Sequence, residues 1–328
     1  MKGDVPMKKM ILIFILLISV GFSSACQDYQ TESYDVYVTV YPMQYVAEEI
    51  LKGTSKTVGI VPGVSSHQDS VDWSPKEIIA MTQASLLFYV GANYDQYIDF
   101  QIESIFSNKD VELVRIQDQT DYIEFIMGVV DDHHSEDETT NDDVLGYDPH
   151  FWISPKKVLQ VSQLIYDKLS EKYSSMQVIL DANYQNLVTK LESLDDDFST
   201  VISGQVTYMM FSTNLYGYLR NDYGLNYLSI SPGYHEETEQ FTTQEKEDIV
   251  NEAVLHEIQY IVYESTATSP LSNAVFTELQ NLGYEPIKLE YIVLQALTND
   301  DKDAGKDYIS VMYENLELIK LATGYIEG

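Results

Sequence analysis

His150 lies in the segment from Asp148 to Trp152, which has the sequence DPHFW, and its neighbours are those of a candidate metal ligand. The segment follows an acidic tract, residues 131–143, with the sequence DDHHSEDETTNDD, which is too polar to belong to a packed core. Imidazole nitrogens and carboxylate oxygens are ligands for zinc and related divalent metals. The pattern therefore predicts a fixed metal ligand, His150, beside a polar loop that attracts metal.

Most of the other histidines also lie in predicted loops, where binding sites are usually built. His67 follows a short predicted strand directly, and His235 lies in a loop of the second half that reads PGYHEE. His256 precedes a glutamate, but no histidine follows four residues later, so the metalloprotease pattern is absent. His133 and His134 lie in the acidic tract, and we expect them to contact metal only transiently.

The composition limits the classes of function. The chain has 328 residues, 45% of them hydrophobic, which suffices for one large domain or two medium ones. The formal net charge of -33 argues against nucleic acid as a partner, because phosphates would be repelled. The same charge suits cationic ligands, and it equally suits a highly soluble surface with no binding role.

The amino-terminal segment predicts secretion. Lys8 and Lys9 precede an apolar run, Met10 to Phe22, which is shorter than the roughly 20 residues of a membrane span. Small residues then lead to Cys26, the only cysteine, so we expect a signal peptide over residues 1–25. The segment resembles a bacterial lipoprotein signal, in which that cysteine becomes lipidated, although Ser23 stands where leucine is usual. The alternative to a lipoprotein signal is an ordinary secretory signal. A separate open point is whether translation starts at Met1 or at Met7.

Strands and helices alternate in both halves of the chain, which predicts an α/β fold. We expect two lobes, each a mostly parallel sheet flanked by helices, joined by one long backbone helix. Sites in such sheets form beyond the carboxyl ends of the strands, where His67 lies. The predicted segments are a tether (26–34), a first lobe (35–173), the linking helix (174–203) and a second lobe (204–328).

Several short motifs occur in a characteristic order, and together they resemble a known family. Nearly the whole mature chain is similar to the metal-specific substrate-binding lipoproteins of bacterial zinc and manganese ABC transporters. The motifs are Tyr41-Pro42-Met43, Val61-Pro62-Gly63 with Ser66-His67, Ser74 to Ile78, the acidic tract, Asp148 to Pro155, Tyr216 to Leu219 with Tyr223-Gly224-Leu225, and the tail from Leu297-Thr298 to Leu316.

The resemblance implies one metal between the two lobes, with a pair of ligands from each. His67 and His150 match the first pair. The third ligand, histidine in zinc forms and often glutamate in manganese forms, falls at Thr213. The fourth, an acid, falls at Gln295, and Glu290 lies five residues earlier and could replace it.

Two further residues are candidates for the second half of the site. His235 lies in a loop that could reach the cleft, and Glu264 ends a predicted strand. Neutral threonine is a weak metal ligand, and the alternative role of Thr213 is to cap a helix.

Two imidazoles with oxygen donors suit zinc, and also manganese or iron(II). We expect zinc as the cargo, because the polar loop contains histidines and the tail is similar to that of zinc forms. The resemblance implies a monomer held by lipid on Cys26 at the extracellular or periplasmic face of the membrane, with an ABC permease as its partner. No nucleophile–base pair or phosphate loop is evident, so we do not expect an enzyme.

Two other functions remain open. The neutral residues Thr213 and Gln295 are consistent with a surface lipoprotein of the same fold that has a degenerate metal site and acts in adhesion. A metal-dependent hydrolase would need three firm protein ligands and a base such as Glu264 or Glu290. The sequence offers only two firm histidines, which disfavours the hydrolase.

Overall fold

The computed structural model describes residues 32–63, 71–129, 144–234, 242–265, 267 and 269–326. Several sequence-based predictions lie outside the described residues: the signal peptide with Cys26, the ligand His67, the acidic tract 131–143 and the loop histidine His235.

Four parallel strands form the first sheet: β1 (Val36–Val38), β2 (Val58–Ile60), β3 (Leu86–Tyr89) and β4 (Glu112–Arg115). Their order is β2-β1-β3-β4, and every neighbouring pair runs parallel. The strands β1 and β3 are buried throughout, as expected for a parallel sheet covered on both faces. The helices and turns of this half are α1 (Tyr41–Leu51), α2 (Pro75–Thr82), α3 (Gln96–Asp99), the π turn Ile102–Phe106 and the 3-10 turn Ile116–Asp118.

Two short antiparallel strands separate the halves, β5 (Met127–Val129) and β6 (Val144–Tyr147). A 3-10 turn, Phe151–Ile153, follows β6, and α4 (Pro155–Lys172) follows the turn. Ser154 begins α4, since its hydroxyl accepts a hydrogen bond from the backbone N–H of Lys157 and Pro155 occupies the first helical position.

The predicted linking helix is α5 (Gln177–Ser203), which begins three residues late because Ser174–Met176 form a separate 3-10 turn. Its 27 residues span about 40 Å. It packs against α4 and α1 and, in the second half, against α10 (Tyr308–Thr323). Its buried residues recur at helical spacing, and they are Leu180, Tyr184, Leu187, Leu191, Leu194, Phe198, Val201 and Ile202.

The second sheet also has four strands, β7 (Met209–Phe211), β8 (Tyr227–Ser229), β9 (Tyr260–Glu264) and β10 (Ile287–Tyr291). Its order is β10-β9-β7-β8, again with parallel pairs only. The remaining helices are α6 (Gly217–Tyr223), α7 (Thr243–Leu255), α8 (Pro270–Asn281) and α9 (Asn299–Asp303). The predicted fold class, parallel sheets flanked by helices with one long helix, is confirmed.

One hydrophobic cluster includes buried residues from both sheets and from α5, so the two halves share a core. Two smaller clusters fill the other faces of the first and the second sheet. No helix among the described residues combines the length and the apolar character that crossing a membrane requires.

Candidate metal centre

His150 is held in a fully buried position directly after β6. Its Nδ1 lies 2.8 Å from Oδ1 of Asp148, and its backbone N–H donates a 2.9 Å hydrogen bond to the same oxygen. An ionised carboxylate only accepts hydrogen bonds, so this contact favours the tautomer with the proton on Nδ1. Nε2 is then the nitrogen whose lone pair can bind a metal.

Three aromatic rings surround His150 and keep water from its imidazole. The ring centroids of Tyr94, Trp152 and Tyr234 lie 6.4, 5.3 and 4.8 Å from that of His150, each in an edge-to-face arrangement. The Tyr234 hydroxyl is buried without a hydrogen-bond partner among the described residues. Burial, and then the charge of Asp148, raise the pKa of Tyr234, so this phenol stays neutral beside the histidine.

Thr213 and Glu264 meet at the carboxyl ends of two neighbouring strands. Phe211 of β7 pairs with Val262 of β9, and two residues further along each chain the register places Thr213 opposite Glu264. The Thr213 hydroxyl donates a 2.7 Å hydrogen bond to Oε1 of Glu264. Thr213 does not cap α6, whose N-cap residue is Tyr216.

A short series of contacts connects this pair with His150. The backbone N–H of Asn214, next to Thr213, donates to the carbonyl of Gly233 over 2.9 Å. The next residue, Tyr234, makes the ring contact with His150. The segment Gly233–Tyr234 thus contacts both His150 and the residue next to Thr213.

Glu290 lies on the opposite face of the second sheet from Glu264. In the parallel register Glu290 pairs with Tyr263, whereas the buried Tyr291 pairs with Glu264. Because successive residues of a strand point to opposite faces, Glu290 cannot share a site with Glu264. Its side chain is 59% exposed and forms a 3.3 Å ion pair with Lys288. The structure therefore does not bring this predicted ligand to the site.

Gln295 lies in the loop after β10, at the boundary between the halves. Its backbone carbonyl accepts a 3.1 Å hydrogen bond from the N–H of Tyr41, where α1 begins. The indole N–H of Trp152 donates to the carbonyl of Val293 in the same loop, over 2.9 Å. Gln295 is half-buried, and as a neutral amide it brings no charge to the site.

His256 is the C-cap residue of α7, and its Nε2 lies 3.4 Å from Oε2 of Glu252. The structure therefore places it at a helix end and not among the site residues. Within the part of the chain that the structure describes, no group of three or more His, Cys, Asp or Glu residues is placed to hold a metal. Among the described candidates, His150 offers an imidazole and Glu264 a carboxylate, and both types of donor fit zinc.

Sequence reasoning did not assign roles to Asp148 and Tyr234. Asp148 lies two residues before His150 in the DPHFW motif, so a search for an acid close to a candidate histidine could have found it. Tyr234 lies 84 positions after His150, and only the fold brings the two rings together.

Comparisons with known proteins agree with this fold. The family described as "ZnuA: Zinc-uptake complex component A periplasmic" matches residues 36–322. A curated relative, the zinc-binding protein AdcA of Streptococcus pyogenes serotype M3, is 28% identical in an alignment of 334 positions that covers 97% of this chain and 62% of the relative. The chain thus spans less than two thirds of that relative.

Two further comparisons extend over most of both partners. The high-affinity zinc uptake system protein ZnuA of Bacillus subtilis is 22% identical over 94% of this chain and 93% of its own length. The Zn(II)-bound ZnuA-like domain of Streptococcus pneumoniae AdcA has the same fold, with a TM-score of 0.68, 22% identity, and coverage of 89% of this chain and 99% of the domain.

Proposed function

The chain belongs to the family of zinc-uptake complex component A proteins, and on that premise we propose that it captures zinc outside the cell and delivers it to an ABC permease. The observation that carries the proposal is the buried His150, whose Nδ1 is fixed by Asp148 at 2.8 Å. A histidine oriented by a carboxylate is the usual arrangement of a zinc ligand. The names of the curated relatives, zinc-binding and zinc-uptake proteins, support the choice of metal.

We propose that His150 and His67 bind the ion from the first half and that Glu264 binds it from the second. Glu264 is favoured because it lies beside Thr213, at the position of the family's third ligand, and carries the charge that threonine lacks. A carboxylate offers about four lone-pair positions, so the hydrogen bond from Thr213 is compatible with metal binding. Gln295 and His235 are the further donors to be tested, and water completes the tetrahedral shell.

Zinc is the preferred cargo, with manganese and iron(II) as alternatives. Two imidazoles and a carboxylate are borderline donors that bind all three ions. Zinc accepts four ligands in a tetrahedron, which suits a site with few protein donors, whereas manganese favours more oxygen ligands.

The contacts between the halves support capture with small motions. The Trp152 indole bonds to Val293, the Tyr308 hydroxyl donates to the carbonyl of Trp152 over 2.9 Å, and Tyr41 bonds to Gln295. These buried bonds, together with the shared core around α5, oppose a wide hinge opening. Ion entry and release then depend on loops at the cleft and not on separation of the two sheets.

We further propose a monomer anchored by lipid on Cys26 at the outer face of the membrane, where a permease can receive the ion. A curated relative from Streptococcus pneumoniae, named zinc-binding lipoprotein AdcA, supports this location. The family is named for zinc uptake and not for a reaction, which supports a receptor without catalytic activity.

The test is a zinc titration of residues 27–328 in competition with a chromophoric chelator. His150→Ala should weaken zinc binding at least about tenfold, which corresponds to roughly 1.4 kcal/mol. His256→Ala is the matched control, because that histidine is paired with Glu252 at the end of α7 and should leave the affinity unchanged. Equal affinity of His150→Ala and the unmodified protein would reject the site.

A second candidate function is adhesion by a family member with a degenerate site. The neutral Thr213 and Gln295 and the distant, exposed Glu290 favour it. Zinc binding no tighter in the unmodified protein than in a His67→Ala/His150→Ala variant would support this function in place of transport.

A further inference from the structure

A strained loop lies between β3 and α3, beside the metal centre. Gly91, Ala92 and Asn93 follow one another with φ angles of 81°, 50° and 59°, all in the left-handed region. Glycine and asparagine adopt this conformation readily, whereas in alanine the Cβ comes too close to the following carbonyl oxygen. Such strain persists only where the surrounding structure enforces it, and it is most frequent at functional sites.

The carboxylate of Asp95 holds the start of this loop. Asp95 is fully buried, and its Oδ1 accepts a 2.8 Å hydrogen bond from the backbone N–H of Gly91. Its Oδ2 accepts two bonds of 2.7 Å, from the backbone N–H of Val90 and from the hydroxyl of Thr39. Thr39 follows β1 and Val90 follows β3, so the carboxylate joins the carboxyl ends of two neighbouring parallel strands.

The side chain of Gln117 holds the strained alanine itself. Its Oε1 accepts a 2.7 Å hydrogen bond from the backbone N–H of Ala92, a residue 25 positions earlier in the chain. The backbone N–H of Gln117 also donates to the carbonyl of Val90 over 3.0 Å, which fixes the 3-10 turn Ile116–Asp118 against the loop. The left-handed conformation of Ala92 is thus maintained by an acceptor from outside the loop.

The loop places Tyr94 against the metal-binding histidine. The backbone N–H of Tyr94 donates a 2.9 Å hydrogen bond to the carbonyl of Gly91, which closes the turn. The side chain is 3% exposed, and its ring packs edge-to-face on both His150 and Trp152. An apolar shell of this kind controls how water reaches a metal site.

We propose that Asp95 and Gln117 are positioning residues of the metal centre, which hold the strained loop so that the ring of Tyr94 covers the imidazole of His150. The role of His150 as a zinc ligand rests on the proposed function, but the covering of its imidazole is a property of the metal-free protein. When either support is lost, Ala92 relaxes toward negative φ and the loop opens locally, which exposes His150 to solvent.

The experiment measures how fast diethyl pyrocarbonate modifies His150 in the metal-free protein, by mass spectrometry of peptides. The reagent acylates the imidazole nitrogen that carries a free lone pair, which is Nε2 of His150 because Nδ1 is bonded to Asp148. His256 is the internal reference, since it lies at the end of α7 and away from the loop. The ratio of the two rates reports local access to His150 and not general unfolding.

Gln117→Met removes the acceptor for Ala92, and Asp95→Asn removes one of the two oxygens that hold Val90 and Gly91. Each change should raise the rate at His150, relative to His256, by about fivefold, the increase in the open population expected from the loss of one hydrogen bond. Gln117 is half-buried, so its variant should fold even if Asp95→Asn does not.

Two control variants separate positioning from stability. Gln119→Met exchanges the same residue type at the end of the same turn without touching the acceptor of Ala92. Leu187→Ala weakens the buried core in α5 and leaves the loop intact. Both should leave the relative rate at His150 unchanged. Equal rates in Gln117→Met and Gln119→Met, or an equal rise in Leu187→Ala, would overturn the proposal.

Zinc distinguishes this proposal from the proposed function. Saturating zinc should slow the modification of His150 in the unmodified protein, because a bound ion occupies the lone pair of Nε2. If zinc gives no protection, His150 is not a ligand and the proposed function fails. The comparison of the metal-free variants still decides whether the loop covers the imidazole.

Discussion

The hydroxyl of Thr213 donates a 2.7 Å hydrogen bond to Oε1 of Glu264, across two parallel strands of the second sheet. The resemblance to the family predicts its third metal ligand at this threonine, which by itself is a poor ligand. The contact fixes the carboxylate of Glu264 at the same place. Under the proposed function, Glu264 takes the place of that ligand, and the Thr213 hydroxyl orients its carboxylate.

Glu264→Gln should weaken zinc binding by about tenfold or more, because a neutral amide replaces the charged donor that we propose for the second sheet. Glu290→Gln removes the same charge from the neighbouring strand, where the side chain is exposed and paired with Lys288. Its zinc affinity should equal that of the unmodified protein. Competition titrations of the two variants compare them directly, and the reverse order of effects would contradict the assignment of Glu264.

Asp148→Asn should lower zinc affinity by about ten- to a hundredfold, the range found for residues that orient a metal ligand. The amide retains one acceptor but loses the charge that favours the proton on Nδ1 of His150. Asp167→Asn is the control, since that carboxylate accepts from the Tyr122 hydroxyl and not from a histidine. A zinc affinity of Asp148→Asn within twofold of the control would argue that His150 needs no orienting group.

Trp152→Phe should destabilise the protein by about 2–3 kcal/mol. The change leaves the nearly buried carbonyl of Val293 without its 2.9 Å donor and makes a cavity where the indole was fully enclosed. Urea denaturation measures the loss. A value below about 0.5 kcal/mol would mean that this contact between the halves carries little of the stability.

Leu187→Ala in α5 should cost about 2–5 kcal/mol, because the side chain is fully buried in the core that the two halves share. Val178→Ala in the same helix is the control, as that side chain is 87% exposed. It should change the free energy of unfolding by less than about 0.5 kcal/mol. The same denaturation experiment serves both variants, and similar losses would show that α5 is not stabilised by its buried face.

Asp95 should make stability depend on pH. Burial raises its pKa from 3.8 to about 6, although hydrogen bonds from Thr39, Gly91 and Val90 act in the opposite direction. The folded state therefore binds this proton more tightly than the unfolded chain does. Protonation of Asp95 therefore contributes stability that is complete below pH about 3.8 and declines as the pH rises to about 6. Above that pH the contribution is absent, and the total change is about 3 kcal/mol.

Asp95→Asn removes this titration, so the difference in free energy of unfolding between the two proteins isolates it from the other carboxylates. We expect the unmodified protein to lose stability relative to Asp95→Asn between pH 4.5 and pH 7, measured by urea denaturation. The variant lacks one of the two oxygens that accept hydrogen bonds from the Thr39 hydroxyl and from two backbone N–H groups, so it is less stable at both pH values. This loss does not change the direction in which the difference in stability between the two proteins varies with pH. A difference independent of pH would show that Asp95 is already ionised at pH 4.5.

The sequence by itself determined the fold class, the long helix and the prominence of His150. The helix α5 is visible in the spacing of Leu180, Leu187 and Leu194, since a 3.6-residue repeat is written in the chain wherever one helix face is buried. The parallel sheets follow from alternating short apolar strands and helices with proline or serine at their starts. These features are local, so the sequence expresses them directly.

Tertiary structure alone decided which acid lies beside Thr213. Glu264 and Glu290 both belong to strands, but the pairing of β9 with β10 places them on opposite faces, and β7 brings Thr213 to Glu264. The ring of Tyr234 reaches His150, and Gln117 accepts a hydrogen bond from Ala92, although the residues of each pair are far apart in the chain. Register and packing between distant segments depend on the free energy of the whole core, which no local repeat of residue types encodes.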